Sequence, residues 1–176
     1  DAYLDKTRIP LKIDISTGDV ITPCEISFSY QLMFENRTIP LLAYPPETVL
    51  AEKLETILSR GEANTRLRDF YDVYILQRED FVVTPDALRY ALLATCRKRG
   101  HEDLLHTYAS ILDRVRQSDT MRTQWMKYQS DFNYAAGITW DTVLDTVETL
   151  CMKTLDDHAF GDELPQEESQ FEMHLL

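Results

Sequence analysis

The 176-residue sequence has few glycines, few cysteines and no long apolar run. Its five glycines form no glycine-rich loop of the kind that cradles phosphate groups. No stretch reaches the roughly 20 apolar residues that cross a bilayer, so we expect no membrane partner. The three cysteines are odd in number and form no CxxC pair, which is typical of buried free thiols in a reducing compartment. These absences favour a cytoplasmic protein without a disulfide framework or a cysteine-based zinc site.

Acidic residues outnumber basic ones by 30 to 18, and the resulting net charge of −12 is unevenly distributed. Residues 156–176 contain seven Asp and Glu residues and no Lys or Arg, which predicts a flexible acidic tail. An acidic protein gains no long-range attraction to nucleic acid. Contact with RNA or DNA would therefore need a local basic patch or a separate basic partner.

Hydrophobic periodicity predicts strands in the first part of the chain. Residues 9–16 alternate between apolar and polar side chains, as in a half-buried strand. A second strand is predicted at 24–34 and a third at 39–44. The short connections between them indicate an antiparallel meander.

Helical patterns follow the predicted strands. Residues 45 and 46 are prolines suited to a first helical turn, and later stop and cap signals divide the rest. Helices are predicted at 45–60, 66–77, 86–98, 102–117, 120–135 and from Thr139 or Asp141 to 155, with a short extended piece at 81–83. The order predicts an α+β protein: strands and two helices in 1–83, a helical subdomain in 84–155 and the tail in 156–176.

A lysine lies on the apolar stripe of the first predicted helix. Lys53 is four residues after Val49 and four before Ile57, so the three side chains share one face. A lysine at the edge of such a stripe often buries its stem and keeps its charge in water. The alternative is that Lys53 points into a polar cleft and binds an anion such as a triphosphate.

The next predicted helix, RLRDFYDVYIL, also carries charge where apolar side chains are expected. Asp69 and Asp72 are three residues apart and share a face. An exposed pair with Arg68 would explain Asp72, but Asp69 lies in an aromatic-rich segment. If the two helices fold back through their short loop, both carboxylates come within reach of Lys53, and buried charges are usually paired.

This predicted cluster has two interpretations. It is either structural or part of a nucleotide site, in which Arg60 and Arg66 near the loop add phosphate contacts. Asp14 is a further candidate, because a carboxylate projecting from a sheet beside other carboxylates is a typical Mg²⁺ ligand. Half-exposed strands also often carry an outward aspartate, so Asp14 alone is a weak signal.

Other notable side chains favour structural roles. His101 and His106 are five residues apart and have no evident third metal ligand. Four aromatic residues are expected in the core of the helical subdomain rather than at a base-stacking surface: Trp125, Tyr128, Phe132 and Trp140.

Three segments together resemble the AbiEii/AbiGii toxin family of nucleotidyltransferases. They are IPLKIDISTGDVITP with Asp14, the helix AEKLETILSR with Lys53, and RDFYDVYIL with Asp69 and Asp72. The resemblance is specific over residues 9–78 and only general from about residue 85. It implies a polymerase-β-like core, partly contained in residues 1–83. It also implies a toxin of bacterial toxin–antitoxin and phage abortive-infection systems, which uses Mg²⁺ to transfer nucleotides from an NTP to an RNA acceptor such as tRNA.

The same resemblance implies roles for individual residues. Lys53 would bind the triphosphate, and Asp69 would assist the chemistry or orient the lysine. Supporting residues would be Asp72, Arg60, Arg66 and, as a metal ligand, Asp14. A cognate antitoxin is a further expected partner.

One part of the family pattern has no counterpart in this sequence. Family members carry a Gly-Ser or Gly-Gly motif followed by a DxD metal pair, upstream of the strand that would contain Asp14, and neither motif occurs here. We therefore expect a C-terminal part of a longer nucleotidyltransferase that is inactive alone. The competing hypothesis is a non-catalytic protein-interaction module with a structural Lys–Asp cluster and an acidic tail that contacts a basic partner.

Overall fold

The computed structural model describes residues 1–13, 15, 17–78 and 83–156. Two separate antiparallel hairpins come first: β1 (Ala2–Leu4) with β2 (Thr7–Ile9), and β3 (Ile26–Gln31) with β4 (Thr38–Ala43). In the second hairpin, Ile26 lies opposite Ala43 and Gln31 lies opposite Thr38. The strands predicted at 24–34 and 39–44 are confirmed with shorter bounds. The three-stranded meander is wrong, because these two strands form a sheet of their own.

The predicted strand at 9–16 is also wrong. Ile9 ends β2, and the other described residues of this segment form no strand. Pro10 has no amide hydrogen to donate to a ladder, and the apolar side chains that follow are exposed. Alternation without a pairing partner or a covering surface does not make a strand. Asp14 lies outside the described residues, so its predicted role as a metal ligand stays a prediction.

Six helices follow in the described chain, close to their predicted positions. They are α1 (Pro46–Arg60), α2 (Leu67–Leu76), α3 (Pro85–Arg99), α4 (Leu104–Gln117), α5 (Asp119–Asp131) and α6 (Trp140–Leu155). Short 3-10 turns occupy Gly61–Ala63 and Asn133–Ala135, so the helix predicted at 120–135 ends earlier than expected. The extended piece predicted at 81–83 lies mostly outside the described residues, as does the tail after Asp156.

Local signals explain where several helices begin and end. The hydroxyl oxygens of Thr84, Ser118 and Thr139 accept hydrogen bonds from backbone amides in the first turns of α3, α5 and α6. Gly61 and Gly100 end α1 and α3 with φ angles of 49° and 70°, in a region that favours glycine. These caps and stops place the helix ends almost where the sequence predicts them.

The helices share one apolar core. α1 packs against α2, α3 and α4, and α6 also packs against these three helices. Trp125 and Trp140 lie in this core, as the sequence predicts, together with fully buried Leu54 and Phe70. The core contains residues from both sides of position 83, and the division into 1–83 and 84–155 stays a prediction. No helix in the described part of the chain is both long and apolar enough to cross a membrane.

The cysteines differ in their surroundings. Cys96 and Cys151 are buried free thiols, as predicted, and burial raises the pKa of each to about 12. Cys24, which lies between the two hairpins, is exposed, so the prediction of a buried thiol is wrong there. Its segment is attached to α1 through Thr48, whose hydroxyl bonds both backbone groups of Thr22 at 2.9 and 3.0 Å.

Candidate functional site

Lys53 lies where α1 and α2 pack against each other. Its Nζ atom is 2.6 Å from Oδ2 of Asp72 and 3.3 Å from Oδ1 of Asp69. The side chains are 19% exposed for the lysine, 9% for Asp69 and 22% for Asp72. The sequence-based expectation that the helices bring both carboxylates to the lysine is therefore confirmed. We call these three residues the Lys–Asp cluster.

Two arginines at the start of α2 extend the Lys–Asp cluster towards water. Arg66 Nε is 3.4 Å from Oδ2 of Asp69, and Arg68 Nε is 3.7 Å from Oδ2 of Asp72. Both arginine side chains are mostly exposed, so these ion pairs are weakened by solvent. With Lys53, three cations face two carboxylates, which leaves an excess of positive charge.

One oxygen of the cluster has unused hydrogen-bonding capacity. Asp69 Oδ2 is buried and accepts no hydrogen bond from the residues that the structure describes. Buried polar atoms are nearly always hydrogen-bonded, so an exception at a polar cleft indicates a place for a ligand or water. The ion pair with Arg66 Nε at 3.4 Å leaves this oxygen able to accept a hydrogen bond from a further donor.

Two clefts meet at the Lys–Asp cluster. The first, about 680 Å³, extends between α2 and α5 and is called the α5 cleft; the second, about 460 Å³, lies along α1 and is called the α1 cleft. Lys53, Arg66 and Asp69 line both of them. Each cleft is lined by four cationic and three acidic side chains. These are local excesses of positive charge in a chain of net charge −12.

The predicted phosphate-binding residues gather around these two clefts. Arg60 lines the α1 cleft, Arg66 lines both clefts, and Lys53 stands at their junction. Asp72 lines the α5 cleft. The structure thus brings together all candidate site residues that it describes, while the roles assigned to them stay predictions.

A second polar cluster forms one wall of the α1 cleft. Glu55 is almost fully buried and pairs with Arg99 and with Nδ1 of His101, which is 2.7 Å from Glu55 Oε1. Arg99 also lies 3.1 Å from Glu52. These pairs attach the end of α3 to α1, which gives His101 a structural contact.

The contribution of α5 to the site was not predicted from the sequence. Lys127, Asp131 and Phe132 line the α5 cleft, and Phe132 is 42% exposed rather than in the core. Lys127 and Asp131 are four residues apart and share a helix face, which is the one local signal that could have indicated a polar surface there. Their proximity to Lys53 depends on how α5 packs against α2, which no local pattern reveals.

The described residues do not fit a Mg²⁺ site. Magnesium binds carboxylate oxygens and water, but the ammonium of Lys53 already occupies the space between Asp69 and Asp72. Within 1–13, 15, 17–78 and 83–156, no group of three or more His, Cys, Asp or Glu side chains could hold a metal ion. The requirement for Mg²⁺ therefore stays a prediction, and no chemical step is derived from it.

Comparison with known proteins identifies the class of this chain. A family model described as "Nucleotidyl transferase AbiEii toxin, Type IV TA system" matches residues 1–146, which include the Lys–Asp cluster and both clefts. By this match the chain belongs to the class of nucleotidyl transferase toxins, which are transferases. The chain belongs to the AbiEii family, which confirms the resemblance found in the sequence. No curated protein and no solved structure shows significant similarity to it.

Proposed function

We propose that this chain binds the triphosphate of an NTP at the Lys–Asp cluster and takes part in transferring its nucleotide to an RNA acceptor, with tRNA as a candidate. The observation that carries this proposal is the position of Lys53. Its ammonium is held by Asp69 and Asp72 at the junction of two clefts, with Arg66 on the rim of both. The family assignment also makes a cognate antitoxin an expected partner.

The electrostatics of the cluster suit a triphosphate. A lysine that is largely removed from water interacts more strongly with an anion than an exposed one does, because the local dielectric constant is lower. The two aspartates fix the position of the Lys53 ammonium, while Arg60 and Arg66 offer planar guanidinium groups for bidentate phosphate contacts. A bound triphosphate would meet one more cationic than acidic side chain in each cleft.

The proposed transfer needs an acceptor hydroxyl, a route for its proton and stabilisation of the leaving group. The RNA hydroxyl oxygen attacks the α-phosphorus in line, the bond to the β-phosphate oxygen breaks, and pyrophosphate leaves. Asp69 Oδ2, which accepts no hydrogen bond from any described residue, would orient the hydroxyl and receive its proton before releasing it to water. Lys53 and Arg66 would stabilise the negative charge on pyrophosphate.

Calorimetric titration of the purified chain with each of the four NTPs tests the proposal. We expect Lys53→Met to weaken NTP binding by about 10- to 100-fold, the usual range for losing a charged hydrogen-bonding group. The matched control is Lys153→Met, because Lys153 is an exposed lysine of α6 that lines neither cleft. Circular dichroism verifies that both variants are folded.

Two outcomes would contradict the proposal. One is that the wild-type chain binds no NTP at millimolar concentration, which would favour a protein-interaction module with a structural Lys–Asp cluster. The other is that Lys53→Met and Lys153→Met bind NTP as tightly as the wild type.

A further inference from the structure

Aromatic side chains form a continuous path along α5 from the core to the α5 cleft. Trp125 is buried, and its Nε1 donates a hydrogen bond to the carbonyl oxygen of Ile138 at 2.8 Å. The ring of Tyr128 stacks on that of Trp125, with 5.3 Å between centroids and 25° between planes. Phe132 follows at 4.7 Å from Tyr128, so its position is fixed from the core outward.

The outer end of this path is an exposed pair of rings. Phe132 and Tyr134 are 42% and 50% exposed, and their rings lie 5.4 Å apart with 30° between planes. Tyr134 also contacts Tyr71 of α2 at 4.8 Å, and its hydroxyl lies 2.9 Å from that of Tyr128. Burial and this hydrogen bond raise the pKa of Tyr128, so its phenol stays neutral near neutral pH. The exposed rings are therefore held rigidly by neighbours on two helices.

The same cleft contains the cations of the proposed triphosphate site. Phe132 and Tyr128 line the α5 cleft together with Lys53 and Arg66. Its volume of about 680 Å³ lies within the range of about 300–1,000 Å³ that is usual for small-molecule sites. The cleft thus combines groups for phosphates with an aromatic face, which are the two components that recognise a nucleotide without regard to sequence.

A further polar atom in the α5 cleft also indicates a ligand with a hydrogen-bond donor. The side-chain oxygen of Gln124 is buried and accepts no hydrogen bond from the described part of the chain. A nucleobase presents both an aromatic face and donor groups on its edge. A purely aliphatic ligand would satisfy neither Gln124 nor the cations.

We propose that Phe132, backed by Tyr128 and flanked by Tyr134, stacks a nucleobase whose phosphate groups lie at Lys53 and Arg66. This inference rests on the proposed function and adds the base-binding half of the site. The base belongs either to the NTP or to the RNA acceptor, because both offer the same aromatic face. Stacking against one aromatic side chain changes affinity by about 5- to 100-fold in alanine substitutions.

The test compares ligands with and without a base. ATP, inorganic tripolyphosphate and a short single-stranded oligoribonucleotide are each titrated into the full chain and its variants. Phe132→Ala removes the ring, and Phe132→Leu removes the aromatic face while keeping apolar volume next to Tyr128. The matched control is Phe34→Ala, because Phe34 is a fully exposed phenylalanine in the loop between β3 and β4.

We expect both Phe132 variants to lose about 5- to 100-fold in affinity for ATP and to bind tripolyphosphate as the wild type does. A loss with the oligoribonucleotide instead of ATP would assign the stacked base to the acceptor. Phe34→Ala should bind all three ligands unchanged. Unchanged binding of both ATP and the oligoribonucleotide by the Phe132 variants would overturn the inference.

Failure of the triphosphate site would give a different pattern. A wild-type chain that ignores tripolyphosphate, yet loses ATP affinity on Phe132→Leu, would support the base site and contradict the triphosphate site. A chain that binds none of the three ligands would contradict both proposals.

Discussion

In the helical body, residues 46–155, apolar side chains face one another, whereas in the β3–β4 hairpin they face water. Leu54 of α1 is fully buried among the other helices. Leu42 of β4 is 75% exposed, and Phe34 in the hairpin loop is 94% exposed. The two regions place their apolar side chains in opposite environments, so the helical body supplies the hydrophobic stabilisation of the described chain.

This difference has a consequence for the candidate site. The Lys–Asp cluster and both clefts are built mainly from α1, α2, α3 and α5, whose backbones are fixed by the shared core. A site on packed helices holds its charged groups in constant positions, which phosphate recognition requires. The exposed apolar side chains of the hairpin are instead typical of a surface that contacts another polypeptide.

The largest expected effect is the loss of a core side chain. Leu54→Ala should lower the free energy of unfolding by about 2–5 kcal/mol, because it leaves a cavity in a closely packed core. Chemical denaturation followed by circular dichroism measures this loss. The matched change in the hairpin, Leu42→Ala, should cost less than about 0.5 kcal/mol. Equal losses in the two variants would contradict the comparison between the regions.

A smaller loss is expected when the lysine of the site is removed. Lys53→Met should lower the free energy of unfolding by about 1–3 kcal/mol, since two partly buried carboxylates lose their closest cation. Arg66 and Arg68 remain near and compensate in part. In the double variant with Asp72→Asn, the loss should be smaller than the sum of the single losses. Strict additivity in this double-mutant cycle would show that the two side chains do not interact.

A helix cap tests a local contribution within the helical body. Thr139→Ala should cost about 1 kcal/mol, because the backbone amide of Thr142 loses its side-chain acceptor. Thr149→Ala is the control, since Thr149 is exposed on the same helix and alanine has the higher helix propensity. The control should therefore be neutral or slightly stabilising. Thermal unfolding of both variants distinguishes a cap from a general effect of removing threonine.

Chemical labelling of the cysteines compares the two regions without any substitution that would change stability. At neutral pH a thiol reagent should label Cys24 quickly, because it is exposed near the hairpins. Cys96 and Cys151 should react only after unfolding, since their thiols are buried and their pKa values of about 12 keep them protonated. Mass spectrometry of the labelled native chain should show one adduct. Three rapid adducts would show that the helical core opens freely.

The sequence predicted what depends on local chemistry. Gly100 and Thr139 mark helix ends through their own backbone preferences and side chains, so those boundaries could be located in advance. The Lys–Asp cluster was also predictable, because charge at apolar positions of two adjacent helices requires pairing. A short loop between the helices left few arrangements that would satisfy Lys53.

The features that were predicted wrongly depend on contacts between distant parts of the chain. Residues 9–16 alternate like a strand, but the described residues after Ile9 find no strand to pair with. Phe132 directly follows α5, seven residues after buried Trp125, and lies beyond the core in a cleft formed with α2. Neither hydrophobic periodicity nor residue type reveals how much of a helix is covered by the helices packed against it.

The most direct test of NTP binding at the Lys–Asp cluster is a map of backbone amide shifts by NMR as ATP is added to the isotope-labelled chain. We expect the perturbed amides to gather around Lys53, at residues 65–72 and at residues 124–132, which line the α5 cleft. Perturbations confined to the hairpins, or no perturbation at millimolar ATP, would contradict this expectation.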